Sequence, residues 1–187
     1  VCKALANRML RFLGWRLCGK APDVRHYVLI CAPHTTNWDL LILLLAAQVL
    51  EIPVVWAGKS SLFRWPWGVF FRALRGVSID RSHHADQVSA LAARLVEGPP
   101  RALAISPEGT RSAAPHWKSG FYYIANRAKV PIVPAFVDFK SRCAGVGEAL
   151  DSSLDIHEVM EELRRFYADK EGKDPQRVGP IRLRDEA

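Results

Sequence analysis

The chain has 187 residues, 49% of them hydrophobic and 24% charged, which is enough for one domain with a real core. That composition excludes a disordered tail, a collagen-like repeat and a coiled coil. The net charge of +7 is uneven: residues 1 to 82 hold 11 Lys and Arg against 4 Asp and Glu, whereas residues 83 to 187 hold 15 of each.

Residues 3 to 17 predict a short amphipathic helix, with Leu5, Met9, Phe12 and Leu13 on one face and Arg8 and Arg11 beside it. His26 to Cys31 reads as a buried strand, Asn37 to Leu50 as an apolar helix, and Pro53 to Ala57 as a second strand. Ser61 to Leu74 is dominated by aromatics, and Val77 to Ile79 is a further strand. Val88, Leu91, Ala92 and Leu95 follow helical spacing up to Gly98-Pro99-Pro100, after which Ala102 to Ile105 is a strand. Phe121, Ile124, Ala125 and Ala128 mark another helix, and Ile132 to Val137 another strand. Ile156, Val159, Met160, Leu163, Phe166 and Tyr167 share one helical face, with Asp155 and Glu158 placed to form a capping box. The residues from about Lys170 onward are polar and read as a loose tail.

Alternating strands and helices predict a single-domain α/β sandwich, with a largely parallel or mixed central sheet flanked by helices. The expected division is an amphipathic segment 1–25, a catalytic domain 26–170 and a polar tail 171–187. The longest apolar run, Leu40 to Ala47, is far short of a membrane span. The four cysteines, Cys2, Cys18, Cys31 and Cys143, lie far apart with no C-x-x-C pair. That argues against a disulfide scaffold or a zinc ribbon and for a reducing, cytoplasmic setting.

In parallel sheets, ligands gather at the loops that leave the C-terminal ends of strands. Three such loops, 33–39, 80–82 and 106–112, carry chemistry. In the first, His34 can take a proton from a hydroxyl while Asp39 holds its other ring nitrogen. The plainer alternative is that Thr36 or Asn37 caps the following helix and Asp39 complements its dipole. In the third, Ser106-Pro107-Glu108-Gly109-Thr110-Arg111-Ser112 sets hydroxyls and a planar arginine fork on a tight turn, which suits a phosphate. A Glu108–Arg111 surface pair is its alternative. The second loop ends its strand at Asp80-Arg81. No Walker loop or dinucleotide-binding glycine loop is present, and His83 and His84 are adjacent rather than at metal-ligand spacing.

Together these loops resemble the 1-acylglycerol-3-phosphate acyltransferase family, which shares its domain with glycerol-3-phosphate acyltransferases. His34-Thr-Thr-Asn-Trp-Asp39 matches the family's His-x4-Asp motif, and Gly76-Val-Ser-Ile-Asp-Arg81 looks like its second motif. Pro107-Glu-Gly-Thr-Arg-Ser112 matches the third and Val130-Pro-Ile-Val-Pro134 looks like the fourth, in the family's order. Gly58-Lys59 and the proline-bearing segment 62–66 extend the likeness, which runs from about residue 26 to 139. Ser106 and Ala135 depart from the usual bulkier residues, and the stretch before His34 is short for a two-helix membrane anchor.

The resemblance implies transfer of a fatty acyl group from an acyl-CoA or acyl carrier protein thioester to a hydroxyl of a lysophospholipid. His34 is then the general base and Asp39 its orienting partner. Arg81 and Arg111 hold the acceptor phosphate, Glu108, Gly109 and Thr110 shape its pocket, and Lys59 is a weaker candidate there. The thioester is a co-substrate, and neither a cofactor nor a metal is expected. Separately, Phe63, Trp65, Trp67, Phe70 and Phe71 interleave with Arg64, Arg72 and Arg75, a pattern suited to an anionic membrane surface. A buried helix rimmed by arginines is the alternative. The membrane reading implies a peripheral enzyme on the inner face of the membrane. Two rivals stay open: a hydrolase in which His34 and Asp39 activate water, and a nucleic-acid-binding module, which gives no reason for the Pro-Glu-Gly-Thr-Arg loop and is not expected.

Overall fold

The computed structural model describes residues 2–79 and 84–186. Its strands are β1 (Arg16–Cys18), β2 (His26–Cys31), β3 (Val54–Lys59), β4 (Gly76–Ile79), β5 (Arg101–Ile105), β6 (Ile132–Asp138) and β7 (Cys143–Val146). They form one sheet in the order β1-β7-β6-β2-β5-β3-β4. The five strands from β6 to β4 are mutually parallel, while β7 runs antiparallel to β6 and β1 pairs parallel with β7. The α/β sandwich with a mixed sheet is therefore observed.

The helices are α1 (Lys3–Phe12), α2 (Trp38–Val49), α3 (Trp67–Ala73), α4 (His84–Val96), α5 (Gly120–Ala128) and α6 (Ile156–Tyr167). On one face of the sheet, α4, α5 and α6 bury Leu95, Phe121, Ile124, Val159, Met160 and Leu163 against β2, β5 and β6. On the other, α2 packs with Phe63 and Phe71 over β2, β3 and β5, and α1 packs on α2 through Ala6 and Leu10. Covered on both faces, β6 is buried at all seven positions, and Tyr27 to Ile30 of β2 are buried as well. This is why both strands read as continuous apolar runs instead of alternating. Asp155 and Glu158 do form the capping box that starts α6.

Three expectations change. The helix expected over 3–17 stops at Phe12, because Gly14 turns the chain with a φ of 76° and residues 16–18 leave as β1 to pair with β7. That pairing places part of segment 1–25 inside the sheet. It also brings Cys18 within 6.4 Å (Cα–Cα) of Cys143, 125 residues away, and the two are disulfide-bonded, which sequence spacing gave no reason to expect. Finally, the tail 171–187 is not loose over its described length: Leu183 is buried in the core under α6, and Arg164 of α6 pairs with Glu186 at 3.2 Å.

Parallel pairing brings the C-terminal ends of β2 and β5 side by side, Ile30 opposite Ile105. The loops 33–37 and 106–119 consequently rise from adjacent strands. Beneath them the buried Tyr167 hydroxyl donates to the carbonyls of Ile30 at 2.8 Å and Ala135 at 3.0 Å, fastening α6 to the strand ends that carry the first loop.

Candidate active site

The first loop is built around Asp39, which sits in the first turn of α2 with 6% of its surface exposed. Its Oδ2 lies 3.0 Å from His34 Nδ1 and accepts the backbone N–H groups of Thr35 and Thr36, both at 2.8 Å. Its Oδ1 accepts the Thr36 hydroxyl at 2.8 Å. Neither Thr36 nor Asn37 caps α2 with its side chain; the carboxylate instead reaches back over the loop and closes it. Burial alone pushes the Asp39 carboxyl up, but hydrogen bonds from His34 and Thr36 outweigh it and hold it below its usual value. Because Asp39 is ionised and can only accept, Nδ1 of His34 carries the proton and Nε2 is left as the basic nitrogen. The His34 side chain is partly exposed.

Glu108, from the third loop, is equally buried, but its carboxylate does not line the cleft. Its Oε2 accepts the backbone N–H of His34 at 2.9 Å and the Ser106 hydroxyl at 3.2 Å. Glu108 thus ties the third loop to the first, and its part in shaping a pocket is indirect. Burial pushes its carboxyl up to about 7, against the opposing pull of the His34 N–H. Gly109 closes the turn by donating to the Ser106 carbonyl at 3.2 Å.

Beside this core lies an open cleft of about 480 Å³. It is lined by the hydroxyl residues Thr35, Thr36, Thr110 and Ser112, by Asn37, and by Arg111 and Arg177. Arg111 donates to Asn37 Oδ1, which joins the two loops across the cleft. Hydroxyls, an amide and two guanidinium groups, with no carboxylate among the described lining residues, make a site for an anion. The structure therefore brings together His34, Asp39, Glu108, Gly109, Thr110 and Arg111. Lys59 is the last residue of β3, but its side chain lies outside the described residues, as does Arg81 altogether. Arg177 was not foreseen from sequence: it sits in a polar stretch with no periodicity, and only the fold carries it to the cleft. Among the described residues, no group of three His, Cys, Asp or Glu side chains is placed to hold a metal ion.

A His–Asp pair thus sits beside a cleft lined by guanidinium and hydroxyl groups, at the C-terminal ends of the parallel strands β2 and β5. The sequence model of the Acyltransferase family matches residues 19–138, and the chain belongs to that family. It is similar to the 1-acyl-sn-glycerol-3-phosphate acyltransferase of Salmonella typhimurium, 30% identical over 163 residues, covering 82% of this chain and 65% of that protein. The enzyme of that name from Saccharomyces cerevisiae is 30% identical over 145 residues, covering 73% of this chain and 45% of its own. The chain thus spans less than two thirds of the bacterial relative and less than half of the yeast one. The fold matches the crystal structure of the 1-acyl-sn-glycerophosphate (LPA) acyltransferase PlsC from Thermotoga maritima. The TM-score is 0.57 at 20% identity, covering 89% of this chain and 73% of that one.

Proposed function

We propose that this domain moves a fatty acyl group from a thioester of coenzyme A or acyl carrier protein to the free hydroxyl of 1-acylglycerol-3-phosphate. The observation that carries this reading is the His34–Asp39 pair at 3.0 Å, next to a cleft lined by Arg111 and hydroxyls. His34 Nε2 takes the hydroxyl proton as the oxygen attacks the thioester carbonyl. The tetrahedral adduct collapses with loss of the C–S bond, and the imidazolium returns the proton to the leaving thiolate. Asp39 stabilises that imidazolium and holds the ring in the reactive tautomer. Arg111, with Thr110 and Ser112, binds the acceptor phosphate and so places the hydroxyl. Arg81 and Lys59 are proposed as further cations for that phosphate. No cofactor enters this route.

The same reading places the domain against an anionic bilayer on the inner face of the membrane. Among the described residues no helix is long and apolar enough to cross a membrane. Trp65 is 88% exposed, Trp67 and Phe70 are also exposed on and before α3, and Phe12 on α1 is 91% exposed. Phe63 and Phe71 are turned into the core, so the aromatic segment divides: half packs the sheet and half faces outward among Arg64, Arg72 and Arg75. Exposed indole rings beside arginines favour a headgroup layer.

The test is thiol release from a long-chain acyl-CoA or acyl carrier protein thioester, with and without lysophosphatidic acid. Acceptor-dependent release supports the transferase. Release without acceptor from either donor would instead make the domain a thioester hydrolase.

A further inference from the structure

Resting on that reading, we propose that Arg177 is a further cation of the acceptor-phosphate site, delivered by a C-terminal strap that lies outside the 19–138 region matched to the family. The strap runs from Glu171 to Glu186 and is fastened on both sides of Arg177. Before it, the Glu171 N–H donates to Asp138 Oδ1 at 3.0 Å, and the Asp174 N–H donates to Thr35 Oγ1 at 3.3 Å. Lys173 Nζ stands 5.3 Å from the centre of the Trp38 ring, at the start of α2. Gly172 packs so closely on Thr35 that a Cβ there would come within 2.7 Å of its methyl carbon.

After Arg177, Gly179 abuts the backbone of Ala114, with no room for a side chain. The Trp117 N–H donates to the Arg182 carbonyl at 2.7 Å, and Arg182 Nε donates to the Pro115 carbonyl at 3.1 Å. Leu183, buried beneath α6, completes the anchorage. One set of ties reaches the loop that carries His34 and the other reaches the loop that carries Arg111. The short 3-10 turn Pro175–Arg177 between them is therefore held over the cleft by both loops at once.

Asp174 Oδ2 holds Arg177 Nε at 2.8 Å, which orients the guanidinium and leaves its terminal nitrogens to meet an anion. With Arg111 already bound to Asn37, a phosphate in the cleft meets Arg111 from the third loop and Arg177 from the strap. A dianion in an open cleft is held better by two separated charges than by one, and the bidentate geometry of the second fixes its orientation.

The experiment compares wild type, Arg177→Ala and Arg177→Lys. As a charge control it adds Arg165→Ala, whose side chain pairs with Glu162 on the exposed side of α6. Calorimetry reads the binding of glycerol 3-phosphate, and thiol release from acyl-CoA reads the kinetics with lysophosphatidic acid. Arg177→Ala is expected to weaken headgroup binding and to raise KM by about tenfold each, with kcat changed by less than about threefold. Arg177→Lys should restore part of the loss, and Arg165→Ala should match wild type. Unchanged binding and KM in Arg177→Ala would overturn the proposal. So would a fall in kcat with headgroup binding intact, which marks a merely structural role, or a wild type that binds no headgroup. If wild type binds the headgroup through Arg177 but transfers no acyl group, the Arg177 contact stands and the transferase reading fails.

Discussion

Asp39 and Glu108 are buried carboxyls that both bond His34, one at its ring and one at its backbone N–H, yet their environments drive them in opposite directions. Asp39 accepts four hydrogen bonds and stays ionised; Glu108 accepts two and is left with burial as the larger effect. The consequences for stability therefore differ in sign. Asp39, held low in the folded protein, contributes stability above its unfolded value and loses it as pH falls through the folded one. Glu108, raised from 4.5 to about 7, favours the folded state at acid pH and loses that contribution as pH rises between those values. A Glu108→Gln variant, which keeps an oxygen for the His34 N–H, should match wild type near pH 4. It should become the more stable protein by pH 8, by on the order of 3 kcal/mol at most. Urea denaturation across that range checks it, and parallel curves would remove Glu108 as the source. Asp39→Asn should cost about 2 kcal/mol and nearly all turnover together, because the same oxygens close the loop and orient the base.

At the scale of elements, legibility followed length and burial. β2, β5, β6, α2 and α6 were readable because each is long enough for a continuous apolar run or a helical stripe. β1 and β7 have only three and four residues and no alternation; they exist because each completes the other's hydrogen bonds, which is a tertiary fact. The first and third loops were readable as pairs of residues, but not their wiring: nothing in the spacing says that Glu108 turns inward to hold a backbone N–H 74 residues away. The strap was hidden for a similar reason. Its apolar anchors, Ile181 and Leu183, are too few to make a pattern, and its remaining ties are hydrogen bonds to particular backbone groups of the domain. Leu183→Ala should therefore cost about 2 to 4 kcal/mol in chemical denaturation and, by loosening the strap, raise KM for lysophosphatidic acid. A destabilised variant with unchanged KM would separate the strap from the site.

Across the whole molecule, exposed apolar surface falls mainly on one side of the sheet. The excess of 7 positive charges lies before residue 83, and α1, α2 and α3, all on one face of the sheet, carry exposed Phe12, Trp38, Trp67 and Phe70. The opposite layer of α4, α5 and α6 exposes little beyond Val96 and Tyr123. Exposed aromatic rings on the face of α1, α2 and α3 suit a lipid surface. Replacing Trp65 and Trp67 together by Ser should lower pelleting with anionic vesicles by about tenfold, and raised salt should weaken wild-type pelleting as well. Unaltered pelleting of the double variant would assign the contact to α1 or to neither.

In the proposed reaction, His34 removes a proton from a lysophospholipid hydroxyl while that hydroxyl takes the acyl group. The most direct measurement follows a labelled acyl chain from its thioester donor, acyl-CoA or acyl carrier protein, into phosphatidic acid, comparing wild type with His34→Ala and confirming by melting that the variant is folded. Label in phosphatidic acid with wild type, reduced at least a hundredfold in the variant, is the predicted result. A folded His34→Ala protein that forms phosphatidic acid at a near-normal rate would contradict it.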